Sequence, residues 1–419
     1  MRVRNKTMAF IAAVLFMSTM ILAPVWAGEP PQITARAAVL MDMATGKILF
    51  AHNPDMRMAP ASTTKILTAL IALELGNLDD RITVGPNPPR VEGTRVYLVE
   101  GETVTLKDLL YGMMLNSGND AALAVAEHYG GSQEGFARLM NKKAGELGAQ
   151  HSHFVNPSGL SDPDHYTTAR DLAVIARAAM QNPTFREIVA TKTRPWRGKE
   201  WESVLINQNR LLWHYEGADG IKNGYTSEAN FTLVGSATRG DQSLIAVVLD
   251  EPSSHAAEQD VQDLLDYGFR EFRSYVLARK GEILATVGLE KVKNLELVAA
   301  DNLAVVCKND GSTPPKGQLQ LFLPERPLQV GTVVGKMTFR HNGEVIGEVE
   351  VVNRQPIPAR PLTPGDWWLR ISLALVITYF ISRAARVLRL RKRKFAFRRR
   401  NCEIYFRDGA PWRQDHPCR

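Results

Sequence analysis

Both ends of this chain are unsuited to a water-soluble core, which confines the globular fold to roughly 330 residues between them. The first 27 residues place Arg2, Arg4 and Lys6 before a mainly apolar run from Met8 to Leu22, then Pro24 and "VWA" ending at Ala27. A basic start, an apolar middle and small residues before the cut describe a secretory signal removed after Ala27, with an uncleaved anchor as the bland alternative. At the other end, "GDWWLRISLALVITYFISRAARVLRLRKRKFAFRRR" is apolar from Trp367 to Ile381. Its uninterrupted part, Ile371 to Ser382, is shorter than the ~20 residues that cross hydrocarbon. Tryptophans at one border and arginines at the other suit a membrane interface. Residues 367–390 are therefore expected to form a membrane-anchor helix, either spanning the bilayer or lying on it. A proline-rich linker over 355–366 precedes it, and a basic tail without structure over 391–419 follows.

Charge supports export over nucleic-acid binding. The net +7 comes from 51 basic and 44 acidic residues, but ten of the basic ones lie in 383–400, where there is no acidic one. The rest of the chain thus carries 41 against 44, a net −3. The high pI belongs to a tail beside an apolar segment, where Lys and Arg contact anionic lipid or fix topology. No nucleic-acid partner is expected. Cys307, Cys402 and Cys418 lack the spacing of a metal site or a disulfide framework.

Between the ends the hydrophobic period changes twice. "VLMDMATGKILFAHN" reads as a hairpin about Thr45-Gly46. Helical patterns follow: Ile66 to Leu75, "TLKDLLYGMML" with a capping-box spelling at Thr105 and Asp108, "DAALAVAEHYG", "QEGFARLMNKKAGELG" and "TARDLAVIARAAM". Short strands return in "ADGIKNGYT", "NFTLVGSATR" and "SLIAVVLD", before one more helix. Strands at both ends of a helical middle predict one α/β unit over 28–275, its sheet closed by the two terminal segments. Residues 276–354 alternate in short strands, with "HNGE" as a hairpin turn, and predict a small all-β domain.

Three short motifs carry chemistry. In "APASTTKILTAL", Ser62 and Lys65 share a helix face. A desolvated lysine can take a serine proton, and a helix start favours developing negative charge. The motif alone arises about once by chance in such a chain, and the bland reading is a cap with a solvated lysine. In "LNSGND", Ser117 and Asn119 either end and begin helices or present a hydroxyl and an amide to a cleft. In "DGIKNGYT", Lys222 is either an edge-strand gatekeeper or a fixed cation for a carboxylate. Gly224 would allow close backbone approach, and the N–H of Tyr225 would pair with that of Ser62 as an oxyanion hole.

The order S-x-x-K, S-x-N, K-x-G, with gaps of about 50 and 100 residues, is that of penicilloyl-accepting serine enzymes. On these motifs, and on "HFVNPSGL", "HYTTARDLAVIARAAM" and "DGIKNGYTSEANFTLVGSA", the chain resembles the low-molecular-mass penicillin-binding proteins, the serine D-alanyl-D-alanine carboxypeptidases. The resemblance covers most of residues 36–355. It implies a β-lactamase/transpeptidase-like α/β (α+β) catalytic domain with its sheet flanked by helices, then a small all-β domain and a C-terminal anchor. It implies Ser62 as nucleophile, Lys65 as base, Ser117 as proton relay, Asn119 across the cleft, and Lys222, Asn223 and Gly224 on the substrate. A peptidoglycan pentapeptide would be the substrate and β-lactams the inhibitors, with no cofactor or metal, outside the cytoplasmic membrane. One departure is Asn223, where the family usually has threonine. Two alternatives stay open: a β-lactamase, which lacks an E-x-x-L-N string here, and a non-catalytic wall-binding relative. Scattered histidines, including His151, His153 and His165, read as surface or packing residues, and Asp171 as an N-cap or a structural partner.

Overall fold

Six consecutive residues, Ala37–Asp42 (β1), are all buried, so this strand needs cover on both faces. The computed structural model describes residues 29–289, 292–311, 313–322, 324–360 and 364–405. The segment read as a signal peptide lies outside the described residues. β1 forms the expected hairpin with Ile48–His52 (β2), and its other edge pairs antiparallel with a distant strand, Gln242–Glu251. The helices between are Lys65–Leu75 (α1), Leu106–Leu115 (α2), Asn119–Gly130 (α3), Gln133–Leu147 (α4), Ala169–Met180 (α5) and Pro183–Ala190 (α6). Then come Ala218–Thr226 (β3), Asn230–Arg239 (β4) and Gln242–Glu251 (β5), followed by helix Ser254–Glu271 (α7). The sheet runs β2-β1-β5-β4-β3, so β3 is an edge.

Period-2 alternation sorts β1 between two cores. Ala37, Val39 and Met41 join Ile245, Val247 and the α1–α6 layer, whereas Ala38 and Leu40 join Val248, Val261 and Leu264 under α7. Local chemistry sets the helix starts. Thr105 Oγ1 accepts the Asp108 N–H at 3.1 Å, and Thr168 does the same for Asp171. Gly131 and Gly148 close α3 and α4 at φ 72° and 85°. α1 has no such cap; a buried 3-10 turn, Ala61–Thr64, leads into it.

The β-rich part begins directly at the end of α7. Phe272–Ala278 (β6) is followed by Ile283–Leu289 (β7), Val292–Ala299 (β8), Leu303–Lys308 (β9), Lys316–Leu321 (β10), Val333–His341 (β11) and Glu344–Asn353 (β12). β6 pairs with β9, and the others form a sheet in the order β7-β8-β12-β11-β10. The boundary expected between residues 275 and 276 therefore falls inside β6. The "HNGE" turn has Asn342 and Gly343 at φ 50° and 88°, the double positive φ that a two-residue hairpin requires.

The chain divides into two compact units, residues 1–322 with 333–354, and residues 323–332 with 355–419. In the second, Leu328 bridges to Ile357, and one helix runs Pro364–Tyr405 (α8). Its Pro364–Lys392 stretch, mean hydropathy 1.6, is long and apolar enough to cross a membrane. The tail expected to lack structure from residue 391 is instead helical as far as Tyr405. No glycine or proline follows Gly365 to stop it within that span. Residues 406–419 lie outside the described ones.

Candidate active site

The turn before α1 creates the central contact. In a 3-10 turn residues i and i+3 eclipse one another, closer than on an α-helix face. Lys65 Nζ accordingly lies 2.8 Å from Ser62 Oγ, and it donates to the Ser158 carbonyl at 2.7 Å. Lys65 is 0% exposed. Burial first, and the Lys222 charge second, hold its amine well below the usual lysine range, against an opposing pull from Asp120. A neutral amine can give one N–H to the carbonyl and accept the serine proton with its lone pair.

The Ser158 carbonyl is aimed by a residue whose part sequence reasoning missed. Asn156 Oδ1 accepts N–H bonds from Ser158, Gly159 and Leu160 at 3.2, 2.7 and 3.2 Å, while its Nδ2 donates to the Leu160 carbonyl at 2.8 Å. Gly159 has φ +86°, and a Cβ there would stand 1.7 Å from the Ala61 carbonyl oxygen. His165, read from sequence as a packing residue, also supports the serine turn. The Val155 N–H donates to its Nδ1 at 3.1 Å, which leaves the proton on Nε2 facing Thr64 Oγ1 at 2.9 Å. Burial lowers His165 to about 4, so the ring is neutral at pH 7. The Asn-Pro-Ser-Gly spelling, an Asx-type turn, was the available signal for this loop.

Ser117 lies between α2 and α3, as the sequence reading placed it, whereas Asn119 opens α3, and each is 5% exposed. Ser117 adopts φ 60°, an uncommon backbone for a serine. The Asn119 amide, expected to face the cleft, donates through Nδ2 to the Glu92 carbonyl at 2.7 Å. It thereby ties down the loop that the neighbouring Asp120 also holds, through the N–H groups of Val96 and Leu98 at 3.0 and 3.1 Å.

β3 supplies the other wall. Although on an edge strand, Lys222 is only 1% exposed, so the gatekeeper reading does not hold. Burial lowers it to about 7, and its Nζ donates to Asn223 Oδ1 at 3.1 Å. Gly224 packs on the serine turn: a Cβ there would meet Ser62 N at 2.7 Å and Thr232 Oγ1 at 2.6 Å. Tyr225 turns its ring outward, 58% exposed and 4.5 Å from the Phe231 ring. Asn223 also lines a cavity of about 580 Å³ with Asn116, Arg210, Trp213 and His214. Arg210 was not singled out from the sequence. Trp196 packs in the main core instead, and Trp201 meets Tyr97 edge-on at 5.2 Å.

The first and third motifs thus meet, with Gly224 against the Ser62 turn and the Lys222 charge acting on Lys65. Residues 25–253 match the family model described as D-alanyl-D-alanine carboxypeptidase. The chain belongs to that family. Residues 272–359 match the model of the penicillin-binding protein 5 C-terminal domain, which begins where β6 does. D-alanyl-D-alanine carboxypeptidase DacF of Bacillus subtilis is 33% identical over 80% of this chain and 90% of its own length. DacC of Escherichia coli is 35% identical over 76% and 83%. The crystal structure of penicillin-binding protein 5 from Haemophilus influenzae superposes with a TM-score of 0.66, at 31% identity over 79% of this chain and 99% of that one.

Membership in the D-alanyl-D-alanine carboxypeptidase family agrees with the α+β catalytic fold, the following all-β part and the C-terminal apolar helix. It favours the carboxypeptidase over the β-lactamase alternative. His153 Nδ1 sits 2.6 Å from the Asp164 carbonyl oxygen, and Asp171 takes the His151 N–H and the Ser152 hydroxyl, each at 2.7 Å. Both are structural partners.

Proposed function

We propose that this protein is a serine D-alanyl-D-alanine carboxypeptidase that trims peptidoglycan pentapeptides through an ester on Ser62. Lys65, whose amine burial holds well below the usual lysine range, takes the Ser62 proton, and Oγ attacks the carbonyl carbon of the penultimate D-alanine. The N–H groups of Ser62 and Tyr225 hold the oxyanion, a contribution of about 100-fold or more per donor in comparable sites. Ser117 relays the proton to the departing amine, the C–N bond breaks, and free D-alanine leaves. Water then attacks the ester as Lys65 again accepts a proton, the bond from the carbonyl carbon to Oγ breaks, and Lys65 returns that proton to Oγ. Lys222, with Arg210 beside Asn223, holds the terminal carboxylate, and Asn119 fixes the opposite wall. β-Lactams acylate the same serine. The observation that carries this reading is the 2.8 Å contact between Ser62 Oγ and a fully buried Lys65 amine.

The reading extends to location. Removal of residues 1–27, export, and attachment through α8 would put the catalytic domain outside the cytoplasmic membrane, beside its polymeric substrate. The basic end of α8 would lie inside, near anionic lipid.

The deciding experiment exposes the protein to benzylpenicillin, locates the adduct by peptide mass spectrometry, and measures D-alanine release from a pentapeptide. An adduct on Ser62 and loss of release in Ser62→Ala are expected. An adduct elsewhere, or release that survives the substitution, contradicts the mechanism.

A further inference from the structure

Two buried carboxyls that the mechanism above does not use meet where β5 turns into α7. Phe231 of β4 pairs with Glu251, yet Leu233, two residues on, pairs with Val248, three residues back, so β5 carries one extra residue there. Asp250 takes φ 61° within this bulge, and a bulge re-aims the side chains around it. Glu251 is 0% exposed, and Asp260, on the second turn of α7, is 4% exposed. The two carboxyls are hydrogen-bonded to each other. Two ionised carboxylates cannot make such a bond, because each only accepts.

Both acids grip the stretch that precedes β1. Asp260 Oδ2 accepts the N–H groups of Thr34 and Ala35 at 2.6 and 2.9 Å, and Glu251 Oε2 accepts the Thr34 hydroxyl at 2.7 Å. Ile33 packs on the core under α7, and Ala35 is buried in it. The stretch forms neither helix nor strand, so these side-chain bonds stand where a ladder would. Among the described residues, Glu251 Oε1 is buried and receives no donor. A proton on Glu251 gives the pair a donor and removes one of two like charges. Burial first and Asp260 second hold the Glu251 carboxyl well above the usual carboxylate range; Asp250 adds to the rise and the Thr34 hydroxyl opposes it. Arg36, the cation of this stretch, turns to Asp250 at 3.3 Å, and Asn230 of β4 donates to the same carboxylate at 2.6 Å. His52 of β2 reaches the stretch through Asn53, which stands 3.1 Å from the ring and donates to the Arg36 carbonyl at 2.9 Å.

We propose that Glu251 and Asp260 share one proton and form a pH-sensitive latch that fastens residues 33–36 to the catalytic domain, and that loss of the proton loosens this segment. Between the ordinary glutamate range and the raised value, the closed latch holds a proton that the open one lacks. Its grip therefore weakens as pH rises across that window, by up to about tenfold per unit, and changes no further above it. None of these groups belongs to the serine site, so the latch is independent of the carboxypeptidase reading.

Hydrogen exchange at the Thr34 and Ala35 amides of the full chain, corrected for the intrinsic rate at each pH, reads the latch between about pH 5 and 9. Protection in the wild-type protein should fall by up to about tenfold per unit and then level off. Glu251→Gln replaces the shared proton with an amide N–H that does not titrate, so protection should stay level over the whole range. Asp260→Ala removes the acceptor of both N–H groups and should leave the two amides unprotected at every pH. His52→Gln should keep the wild-type fall. Protection that does not change with pH in the wild-type protein, or a fall that persists in Glu251→Gln or vanishes in His52→Gln, would overturn the proposal. Circular dichroism checks that each variant is folded; if Glu251→Gln is not, the profiles of the wild-type protein and His52→Gln decide.

Discussion

Burial brings Lys222 down to about 7, so near neutral pH its ammonium is only partly charged in the free protein. A substrate carboxylate needs that charge. Above about pH 7, kcat/KM should therefore fall, approaching tenfold per unit, because each binding event must first bring a proton to Lys222. Folding has the opposite dependence at this residue. Between about 7 and the ordinary lysine value, the unfolded chain holds a proton that the folded chain lacks, so the Lys222 contribution to stability rises with pH across that window. Lys222→Arg keeps a charge at every accessible pH and should flatten the alkaline limb of the rate profile. Initial rates on a D-alanyl-D-alanine peptide between about pH 6 and 9 provide the check, and a flat wild-type profile would refute the role of Lys222. The neighbouring Asn223 accepts from this ammonium at 3.1 Å. Asn223→Thr exchanges that contact for a shorter hydroxyl and frees the charge for substrate. KM should fall by about fivefold with kcat little changed, in line with ~1 kcal/mol for one hydrogen bond. An unchanged KM would show the position to be tolerant.

Among the elements, β3 and the 3-10 turn depend on each other more closely than any pair the sequence pattern could identify. Gly224 permits their approach, since a Cβ would fall 2.7 Å from Ser62 N. Gly224→Ala must push the strand away from the turn, separating the N–H groups that would hold the oxyanion. The second-order rate of acylation by benzylpenicillin should drop by at least about 100-fold, while circular dichroism stays that of the folded protein. Acylation within a few-fold of wild type would mean that the strand does not help form the oxyanion site. The loop from Asn156 to Leu160 acts in the same way on Lys65, because one side-chain oxygen collects three N–H groups and leaves the Ser158 carbonyl facing the amine. The caps of α2 and α5 are local in origin and readable as spelling. The 3-10 turn is not, because it answers to Pro60, whose carbonyl accepts from Thr232 on β4 at 3.1 Å.

For the whole molecule, every residue assigned to the serine site lies in the compact unit that ends at residue 354, whereas the apolar helix α8 belongs to the other unit. Attachment and catalysis should then be separable. A chain ending at Arg360 should move from the membrane fraction to the soluble fraction and keep its penicillin acylation rate within about twofold. Retention of that shortened chain in the membrane pellet would place the attachment elsewhere. The Trp367 and Trp368 side chains, 57% and 70% exposed, lie at the start of the apolar stretch of α8.

The sequence by itself determined the hairpin at the start, five of the six helices before β3, the strands of the sheet, the Thr105 cap, the "HNGE" hairpin, the apolar terminal helix and the three motifs. Each of these is written in a window of a few residues, as a period of 2 or 3.6, a capping hydroxyl or a turn that needs positive φ. The tertiary structure alone decided that Lys65 and Lys222 are dry, that Ser158, 93 positions away, accepts from Lys65, and that His165 supports Thr64 across 101 positions. It also turned the Asn119 amide onto Glu92 and buried Glu251 against Asp260. The physical reason is that a lysine amine loses its charge through desolvation, and desolvation is the sum of neighbours brought in from distant parts of the chain.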